Sequence, residues 1–387
     1  MKKIRLILTL VFLLTGICFG KVLDVSAAEN VSLEEARNVA LNHLKETEYS
    51  GDIQRDDELI LKTHLYDVDD SLLGYYFTFE NNEKDSRYIL VTASKDLPPI
   101  LQYGDGKLDN VNEDFLEQGK KLYYLGPLQY LYGNNKDEIE QQFNTRKEKW
   151  LNKVSSRDSV MDYSKIMNKE IPRVKRNSSN ESYWEIELSS ASSSNPTLFA
   201  ITDQKTLSVT RLYQRSSGVT NPNSACGPTT AAMVSNFLKG EGYPIKGVSD
   251  YSSVGTFINH MYSEMGTTLV GSSIKQYVTG INKHLDHNYS GSSGWTAWSY
   301  PAYGYYPHYK DNINASKPVG LRFDLFVSSG TYTDYHFVAG IGYRYNNGSA
   351  EFGIKDPDNG SSNTGTIWLN WNANNDDMSM GLVNRTY

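Results

Sequence analysis

Cysteine is nearly absent from this sequence. Only Cys18 and Cys226 occur among 387 residues, and Cys18 falls in an N-terminal stretch that is predicted to be removed from the mature protein. A chain with one remaining thiol cannot form an internal disulfide, so a disulfide framework is excluded. A lone cysteine is most often a buried structural residue. Whether Cys226 is structural or reactive therefore depends on the sequence around it.

A surplus of positive charge is also missing. The chain has 38 Lys and Arg against 45 Asp and Glu, a formal net charge of −7, and no basic stripe runs along it. Proteins that bind nucleic acid neutralise phosphates with clustered basic residues. This charge balance therefore argues against nucleic acid as a partner.

Long apolar runs are lacking except near the N-terminus. Lys2, Lys3 and Arg5 precede an apolar run over residues 6–19 that is too short to span a bilayer comfortably. Small residues follow at a cleavage site, and the whole pattern predicts a secretory signal peptide over residues 1–28. An uncleaved N-terminal anchor is the alternative. With cleavage, we expect a secreted, extracellular or cell-wall-associated protein without stable membrane insertion.

The length suits two domains, and residues 29–135 predict the first, a small α+β domain. Ser32 opens a capping box ahead of apolar residues at helical spacing, which predicts an amphipathic helix to about Lys45. Strands are predicted next, over residues 59–65, 75–79 and 88–92. Residues 113–132 are predicted to be helical with a break at Gly126.

Residues 136–204 differ in composition, being rich in charged residues and serine and poor in large apolar groups. This composition predicts a solvated helix followed by a linker. Arg173, Lys175 and Arg176 lie in this region, and exposed basic residues in a flexible segment are frequent sites of proteolytic cleavage. A maturation cut at this cluster is one hypothesis, and an ordinary charged linker is the other. A short strand is predicted over residues 183–188.

The most informative stretch surrounds Cys226. Gly227 and Pro228 follow it, and Pro228 suits the first turn of a helix because its missing N–H costs nothing there. Small and apolar residues continue the predicted helix until Gly240. The positive end of the helix dipole favours a thiolate at this terminus. The local sequence therefore favours a nucleophilic Cys226 over a structural one.

A thiol nucleophile needs a base, and the sequence offers seven histidines. His336 begins an apolar stretch with interspersed glycines, over residues 336–343, that predicts a buried strand. A histidine at the head of a buried strand is held rigidly, as a general base requires. The remaining histidines lie in the N-terminal domain or in polar segments typical of surfaces and loops: His43, His64, His260, His284, His287 and His308.

The imidazole of His336 needs an orienting partner. Residues 346–348 read Asn-Asn-Gly, which predicts a hairpin turn after the His336 strand. If the strands pair across that turn, the return strand brings Asp356 back beside His336. This position favours Asp356 over Asp334 and Asp358. An aspartate that caps a turn before Pro357 is the alternative role.

Acyl transfer also needs donors for the developing oxyanion. The backbone N–H of Cys226 can supply one at its helix terminus. Gln214 precedes Cys226 at the end of a strand-like run and can supply a side-chain amide if the intervening turn folds back. Asn221 and Asn223 are competitors for the same role.

These residues together resemble a known family. The stretch Cys226-Gly-Pro-Thr, followed by His336-Phe-Val and Asp356-Pro, resembles papain-like cysteine peptidases related to the bacteriocin double-glycine leader peptidases. The likeness extends over residues 211–369. It implies a papain-like catalytic domain over residues 205–387, with Cys226 as nucleophile, His336 as base, Asp356 as orienter and Gln214 in the oxyanion hole.

The N-terminal part resembles a different family. Residues 88–96 and 99–103 are similar to the propeptide of streptopain-type secreted cysteine proteases. This likeness implies an inhibitory propeptide that is removed on activation and that contacts the catalytic domain in cis. The chain departs from leader peptidases in having no fused transporter, and Gln214 lies further from Cys226 than in papain. Both departures leave the substrate open.

The sequence therefore predicts an α+β protein: a secreted cysteine endopeptidase, made as a precursor, that acts on a protein or peptide substrate. A cell-wall amidase, transglutaminase or deamidase with the same residues is one alternative. A non-catalytic exported binding protein on a papain-like scaffold is another. No cofactor or metal is predicted, because His284, Asp286 and His287 fall in a segment whose composition favours a loop.

Overall fold

A computed structural model describes residues 30–47, 59–80, 86–108, 111–155, 170–192, 201, 203–287, 294–327, 332–346, 349–360 and 364–386. The signal peptide predicted for residues 1–28 lies outside these ranges. Among the residues described, none of the helices combines the length and the apolar character needed to cross a membrane.

The described elements mix helices and strands along the whole chain, which confirms the α+β class. The helices are α1 (Leu33–Glu46), α2 (Glu113–Glu117), α3 (Lys136–Ser155), α4 (Glu181–Ser192), α5 (Cys226–Gly240), α6 (Val254–Glu264), α7 (Ile274–Asp286), α8 (Tyr306–Asn314) and α9 (Trp371–Asn374). The strands are β1 (Leu59–Tyr66), β2 (Leu72–Glu80), β3 (Ser86–Thr92), β4 (Ile100–Asp105), β5 (Lys121–Gly126), β6 (Gln129–Gly133), β7 (Asp203–Thr206), β8 (Trp295–Pro301), β9 (Val319–Val327), β10 (Tyr332–Asn346), β11 (Ser349–Lys355), β12 (Ile367–Asn370) and β13 (Met378–Arg385).

The strands form one sheet in the order β6-β5-β1-β2-β3-β4-β12-β11-β10-β9-β13-β8. Strand β10 is long enough to have two neighbours on one side, pairing with β9 over its first half and with β7 over its second. Strand β11 pairs antiparallel with β10 on the other side, so the hairpin predicted for this region is confirmed.

Local sequence signals placed the first helix and strands correctly. The side chain of Ser32 accepts from the backbone of Glu35, and the Glu35 carboxylate accepts from the Ser32 backbone, so the capping box is present. The apolar face of α1 is buried, and β1, β2 and β3 overlap the three predicted strands. Signals confined to one turn or one strand were sufficient here.

The helix predicted over residues 113–132 is mostly wrong. Helix α2 covers only its start, and a β5–β6 hairpin follows. Leu122 and Tyr124 pack in one apolar cluster whereas Tyr123 and Leu125 pack in another, so both faces of β5 are buried. A strand buried on both faces has a continuous apolar sequence that does not show the alternation by which strands are recognised.

The strand predicted over residues 183–188 is also wrong, because this segment lies within α4. Trp184 is fully buried on this helix and donates through Nε1 to the carbonyl of Leu97 at 2.9 Å. It packs in the same apolar cluster as Val39 of α1 and Trp368 of β12. Contacts with distant parts of the chain decide the conformation here.

The N-terminal and C-terminal parts meet where β4 pairs with β12. At this junction the Tyr103 hydroxyl donates to Glu351 at 2.7 Å and accepts from Arg344 at 2.9 Å. The Arg344 guanidinium lies 3.8 Å from the centre of the Trp368 ring. The proposed boundaries at residues 135 and 204 stay a prediction, since one sheet runs across the whole chain.

Candidate active site

Cys226 is the first residue of α5, as its sequence context predicts. A 3-10 turn (Pro222–Ser224) leads into it, and the N-cap residue Ala225 makes no side-chain hydrogen bond to the helix. The first backbone N–H groups of a helix have no partner within the helix. Uncapped donors and the positive end of the helix dipole therefore face the surroundings of the Cys226 sulfur.

Gly227 packs closely against the loop between α6 and α7. A Cβ atom at this position would lie 3.0 Å from Ser272 Oγ and 3.2 Å from Met265 Cε. The missing side chain at residue 227 therefore lets the first turn of α5 approach the loop between α6 and α7 without displacing Ser272 or Met265.

The structure brings His336 and Asp356 together across the β10–β11 hairpin. The strands pair with Ala339 opposite Lys355, which carries Asp356 back to His336. Nε2 of His336 lies 2.8 Å from Oδ1 of Asp356. Their roles in catalysis remain predictions, but the contact is the one that an orienting carboxylate needs.

The state of the His336 ring follows from this contact. An ionised carboxylate can only accept, so Nε2 carries the hydrogen and Nδ1 is left for another partner. Burial disfavours the charged imidazole, but the Asp356 carboxylate and the Cys226 sulfur outweigh burial and raise the pKa of His336 to about 10. The sulfur thus lies within interaction range of the ring.

Three residues are nearly inaccessible at this site: Cys226 is 6%, His336 5% and Asp356 8% exposed. The ring of Phe326 stacks on His336 with 4.5 Å between centroids. Trp368 and Trp371 make their ring contacts with other residues. Trp368 stacks on Tyr103, and Trp371 packs on Phe352, Tyr306 and Tyr309.

Gln214 is held between the two halves of the site. Its backbone N–H donates to the carbonyl of Pro357 at 2.9 Å, and its side-chain Nε2 donates to the carbonyl of Pro222 at 3.0 Å. Pro222 belongs to the turn that leads into Cys226. The intervening turn therefore folds back as the oxyanion prediction requires.

The competing amides are engaged elsewhere. The Asn223 side chain accepts from Arg215 at 2.7 Å. Burial raises the pKa of Tyr262, and hydrogen bonds with the side chains of Ser224 and Asn221 partly offset this rise, so the Asn221 amide is already engaged. These contacts favour Gln214 over both asparagines for the oxyanion role.

Arg215 was missed by the sequence reading. Its guanidinium donates through Nε and Nη2 to the two oxygens of Asp358, at 2.6 and 2.9 Å, and through Nη1 to Asn223. It therefore ties the turn after Asp356 to the turn before Cys226. No local pattern predicts this bridge, because Arg215 and Asp358 are far apart in the sequence.

Tyr335 was also missed. Its hydroxyl donates to the carbonyl of Val270 at 2.8 Å. Burial raises its pKa most, and the Cys226 sulfur raises it further, so Tyr335 is a neighbour of the nucleophile. Gly271 has a φ of +103°, and a Cβ there would lie 0.8 Å from the Tyr335 hydroxyl oxygen.

The interpretation of His284 as a surface or loop residue is wrong. His43 is buried on α1, and His284 is completely buried within the last turn of α7. His64 and His308 are exposed. Helix α7 also replaces the loop expected around residues 284–286.

Comparison with known proteins finds one family match, in the C-terminal part of the chain. Residues 206–377 match the Peptidase_C39 like family. The matched range contains Gln214, Cys226, His336 and Asp356. The match supports a cysteine peptidase family of the papain-like type and a papain-like fold for this part of the chain. No curated protein matches the chain.

Proposed function

We propose that this chain is a secreted cysteine endopeptidase, made as a precursor, that hydrolyses peptide bonds through a thioester on Cys226. One observation carries the proposal. The His336 ring is fixed by Asp356 at 2.8 Å and interacts with a sulfur at the N-terminus of a buried helix. The family match is consistent with this chemistry.

The first step is proton transfer. Since Nε2 of His336 donates to Asp356, Nδ1 takes the proton of the Cys226 thiol. The product is a thiolate beside an imidazolium, and both charges are favoured by their surroundings. The helix dipole stabilises the thiolate, and Asp356 stabilises the imidazolium. The raised pKa of His336 fits this ion pair.

Acylation and hydrolysis follow. The thiolate attacks the carbonyl carbon of the scissile bond, and the oxyanion accepts from the Cys226 N–H and from the Gln214 amide. His336 then gives its proton to the leaving amine, and the carbonyl remains attached to sulfur as a thioester. A water attacks the thioester, His336 takes the proton of that water, and the Cys226 thiolate leaves with the acid product released.

The precursor part of the proposal is supported by contacts between the N-terminal and C-terminal parts. Leu128 at the tip of the β5–β6 hairpin packs into the same apolar cluster as Cys226. A cavity beside this hairpin is lined by Pro127, Gln129 and Phe323, and Phe323 is the cross-strand partner of His336. We infer that the N-terminal part covers the site until it is removed.

The basic cluster proposed as the maturation site lies in a described segment without helix or strand. Arg173 pairs with Asp69, Lys175 with Asp376, and Arg176 with Asp96, yet all three side chains are at least 39% exposed. An exposed, irregular backbone is what a protease needs in order to bind a substrate segment.

Variants of the site test the chemistry. We expect Cys226→Ala and His336→Ala to abolish peptide hydrolysis, and iodoacetamide to block the wild type. His308→Ala is the matched control, because His308 is exposed on α8, and it should retain full activity. Mass spectrometry of the wild type beside Cys226→Ala should show a shortened wild-type chain and an uncleaved variant. Unchanged hydrolysis by Cys226→Ala would refute the proposal.

The alternatives are separated with the same preparation. Peptides, peptidoglycan and glutamine side chains with amine acceptors are assayed in parallel, and we expect hydrolysis of peptides. Selective action on peptidoglycan or glutamine would leave the roles of Cys226, His336 and Asp356 unchanged but would assign a different substrate. A Cys226 that alkylates no faster than free cysteine, with no turnover, would instead indicate a non-catalytic binding protein.

A further inference from the structure

A second cluster of reactive side chains lies where α6 and α7 pack together. Glu264 is the last residue of α6, and His260 lies one turn earlier on the same face. His284 lies in the last turn of α7, and His287 directly follows that helix. The side chains of Glu264 and His284 are 5% and 0% exposed. A buried carboxylate needs a positive partner, and the proposed peptidase chemistry uses none of these four residues.

The ring nitrogens of three histidines face the Glu264 carboxylate. Oε2 lies 2.9 Å from Nδ1 of His284 and 3.3 Å from Nε2 of His260, and Oε1 lies 3.5 Å from Nδ1 of His287. One atom from each of His260, Glu264 and His284 can be chosen so that all lie within 4.8 Å of one another. A tetrahedral zinc ion with bonds of about 2.0–2.1 Å holds its ligand atoms roughly 3.3 Å apart. The spacing is therefore close to that of a metal site.

Both ring nitrogens of His284 have a hydrogen-bond partner, and Nδ1 is the one that faces Glu264. Nε2 of His284 lies 2.9 Å from the carbonyl of Lys246, and a carbonyl can only accept, so Nε2 carries a hydrogen. The Glu264 carboxylate accepts from Nδ1 at 2.9 Å, and a bound metal ion would replace the hydrogen on this nitrogen. A hydrogen bond from the second ring nitrogen to a backbone carbonyl is the usual support of a metal-binding histidine.

His260 supplies an independent observation. Its Nε2 atom is buried and makes no hydrogen bond to any residue that the structure describes, although the Glu264 carboxylate is near. A buried ring nitrogen without a hydrogen bond is costly. A cation at the centre of the cluster would satisfy this nitrogen, Nδ1 of His284 and the carboxylate together.

We propose that His260, Glu264 and His284 bind a divalent ion with the chemistry of zinc, and that His287 is a fourth ligand. Imidazole nitrogen and carboxylate oxygen are typical zinc ligands. The His287 side chain is 51% exposed, so it can rotate toward the ion. The ion clamps the end of α6 to the end of α7.

The position of this clamp suggests a structural role. Tyr262 lies between His260 and Glu264 on α6, and its hydroxyl is 3.0 Å from Ser224 Oγ. Ser224 comes two residues before Cys226. The clamp therefore braces the helix that contacts the turn leading into the nucleophile. The metal takes no part in the bond-breaking steps, so this proposal does not depend on the proposed peptidase function.

Metal binding to the full chain tests the proposal. The Cys226→Ala variant is used throughout, so that zinc cannot bind at the thiolate. The protein is stripped with EDTA, dialysed and titrated with zinc chloride in a calorimeter, and cobalt is added in a parallel sample. We expect one equivalent of zinc per chain, a higher melting temperature with zinc, and the visible absorption of four-coordinate cobalt.

Histidine variants locate the site. His260→Gln and His284→Gln in the same background should weaken zinc binding at least about 100-fold. His308→Gln should bind as tightly as the parent, because His308 lies on α8 and is exposed. If His284→Gln does not fold, His260→Gln and His287→Gln are used in its place. Both side chains are partly exposed, so their substitution should disturb folding less. Absence of stoichiometric zinc binding in the parent, or equal affinity in His260→Gln and His308→Gln, would overturn the proposal.

Discussion

Gln214 illustrates how much a single side chain at this site depends on its neighbours. Its Nε2 donates one hydrogen to Pro222, and Oε1 is buried without a hydrogen-bond partner in the described part of the chain. An amide nitrogen carries two hydrogens, so one is available for a substrate oxygen. Burial fixes the amide before substrate arrives, which is the condition for efficient oxyanion stabilisation.

Gln214→Ala should lower kcat for peptide hydrolysis by roughly 10²–10³-fold with a small change in KM, because the lost donor acts mainly on the transition state. Steady-state kinetics on the activated enzyme measure both constants. Gln204→Ala is the control, since Gln204 is exposed on β7. An equal loss in both variants, or a loss confined to KM, would contradict the oxyanion role.

The charge on His336 predicts how stability changes with pH. Its folded pKa of about 10 is above the value of about 6.5 in an unfolded chain. The stabilisation is therefore fully present below about pH 6.5 and is lost as the pH rises through about 10. Urea unfolding across this range should show the wild type losing stability relative to His336→Gln. Parallel curves for the two proteins would contradict the raised pKa.

At the scale of secondary-structure elements, the loop between α6 and α7 makes room for the catalytic strand. Gly271 has a φ of +103° and its missing Cβ leaves space for Tyr335, which precedes His336 on β10. Gly266 in the same loop has a φ of +59° with open space around it. Substitution of Gly266 therefore tests the cost of the backbone conformation alone. Substitution of Gly271 tests that cost together with the clash against Tyr335.

Gly266→Ala should destabilise the protein by about 1 kcal/mol, the usual cost of a left-handed backbone. Gly271→Ala should cost more, about 3 kcal/mol or above, and should also lower activity because Tyr335 must move. Chemical unfolding and peptide hydrolysis of both variants measure this difference. Equal destabilisation by the two substitutions would show that Tyr335 does not limit position 271.

At the scale of the whole molecule, the junction of the two parts contains a buried acid. Burial raises the pKa of Glu351 to about 7, against smaller opposing effects of the Tyr103 hydroxyl and Arg344. Burial also lowers the pKa of His43 to about 3. The Nε2 atom of His43 lies 3.7 Å from Glu351. The neutral forms of both residues are therefore favoured at the junction.

Glu351→Gln should remove one pH dependence of stability. A carboxyl with a raised folded pKa stabilises fully below its unfolded value, and this contribution is lost as the pH rises through about 7. The wild type should therefore lose roughly 2–3 kcal/mol relative to Glu351→Gln between about pH 5 and about pH 8. Glu34→Gln, an exposed position on α1, is the control for urea unfolding. A constant difference across the range would contradict the prediction.

Leu128, at the tip of the β5–β6 hairpin, is expected to help hold the precursor inactive. Leu128 has a φ of +63° and is buried against the catalytic core. Leu128→Asn tolerates this backbone but removes the apolar contact, at a cost of about 2–3 kcal/mol. We expect the precursor to mature several-fold faster than the wild type. Gel electrophoresis of samples taken over time measures the rate of maturation. Leu72→Asn, at a 38% exposed position, is the control. Unchanged maturation in Leu128→Asn would argue against an inhibitory hairpin.

Features that depend on near neighbours along the chain can be predicted from the sequence. These are the capping box at Ser32, the helix that begins at Cys226, and the hairpin that returns Asp356 to His336. Each needs only the propensities of residues within one helix or one strand pair, and such signals can be read from consecutive residues.

The tertiary structure alone decided the rest. Strand β5 is buried on both faces, α4 follows the burial of Trp184, and Arg215 bridges two turns that are distant in sequence. The same is true of the carboxylate that three histidines surround at the ends of α6 and α7. These arrangements depend on which surfaces pack against each other, and no local pattern of residues encodes that choice.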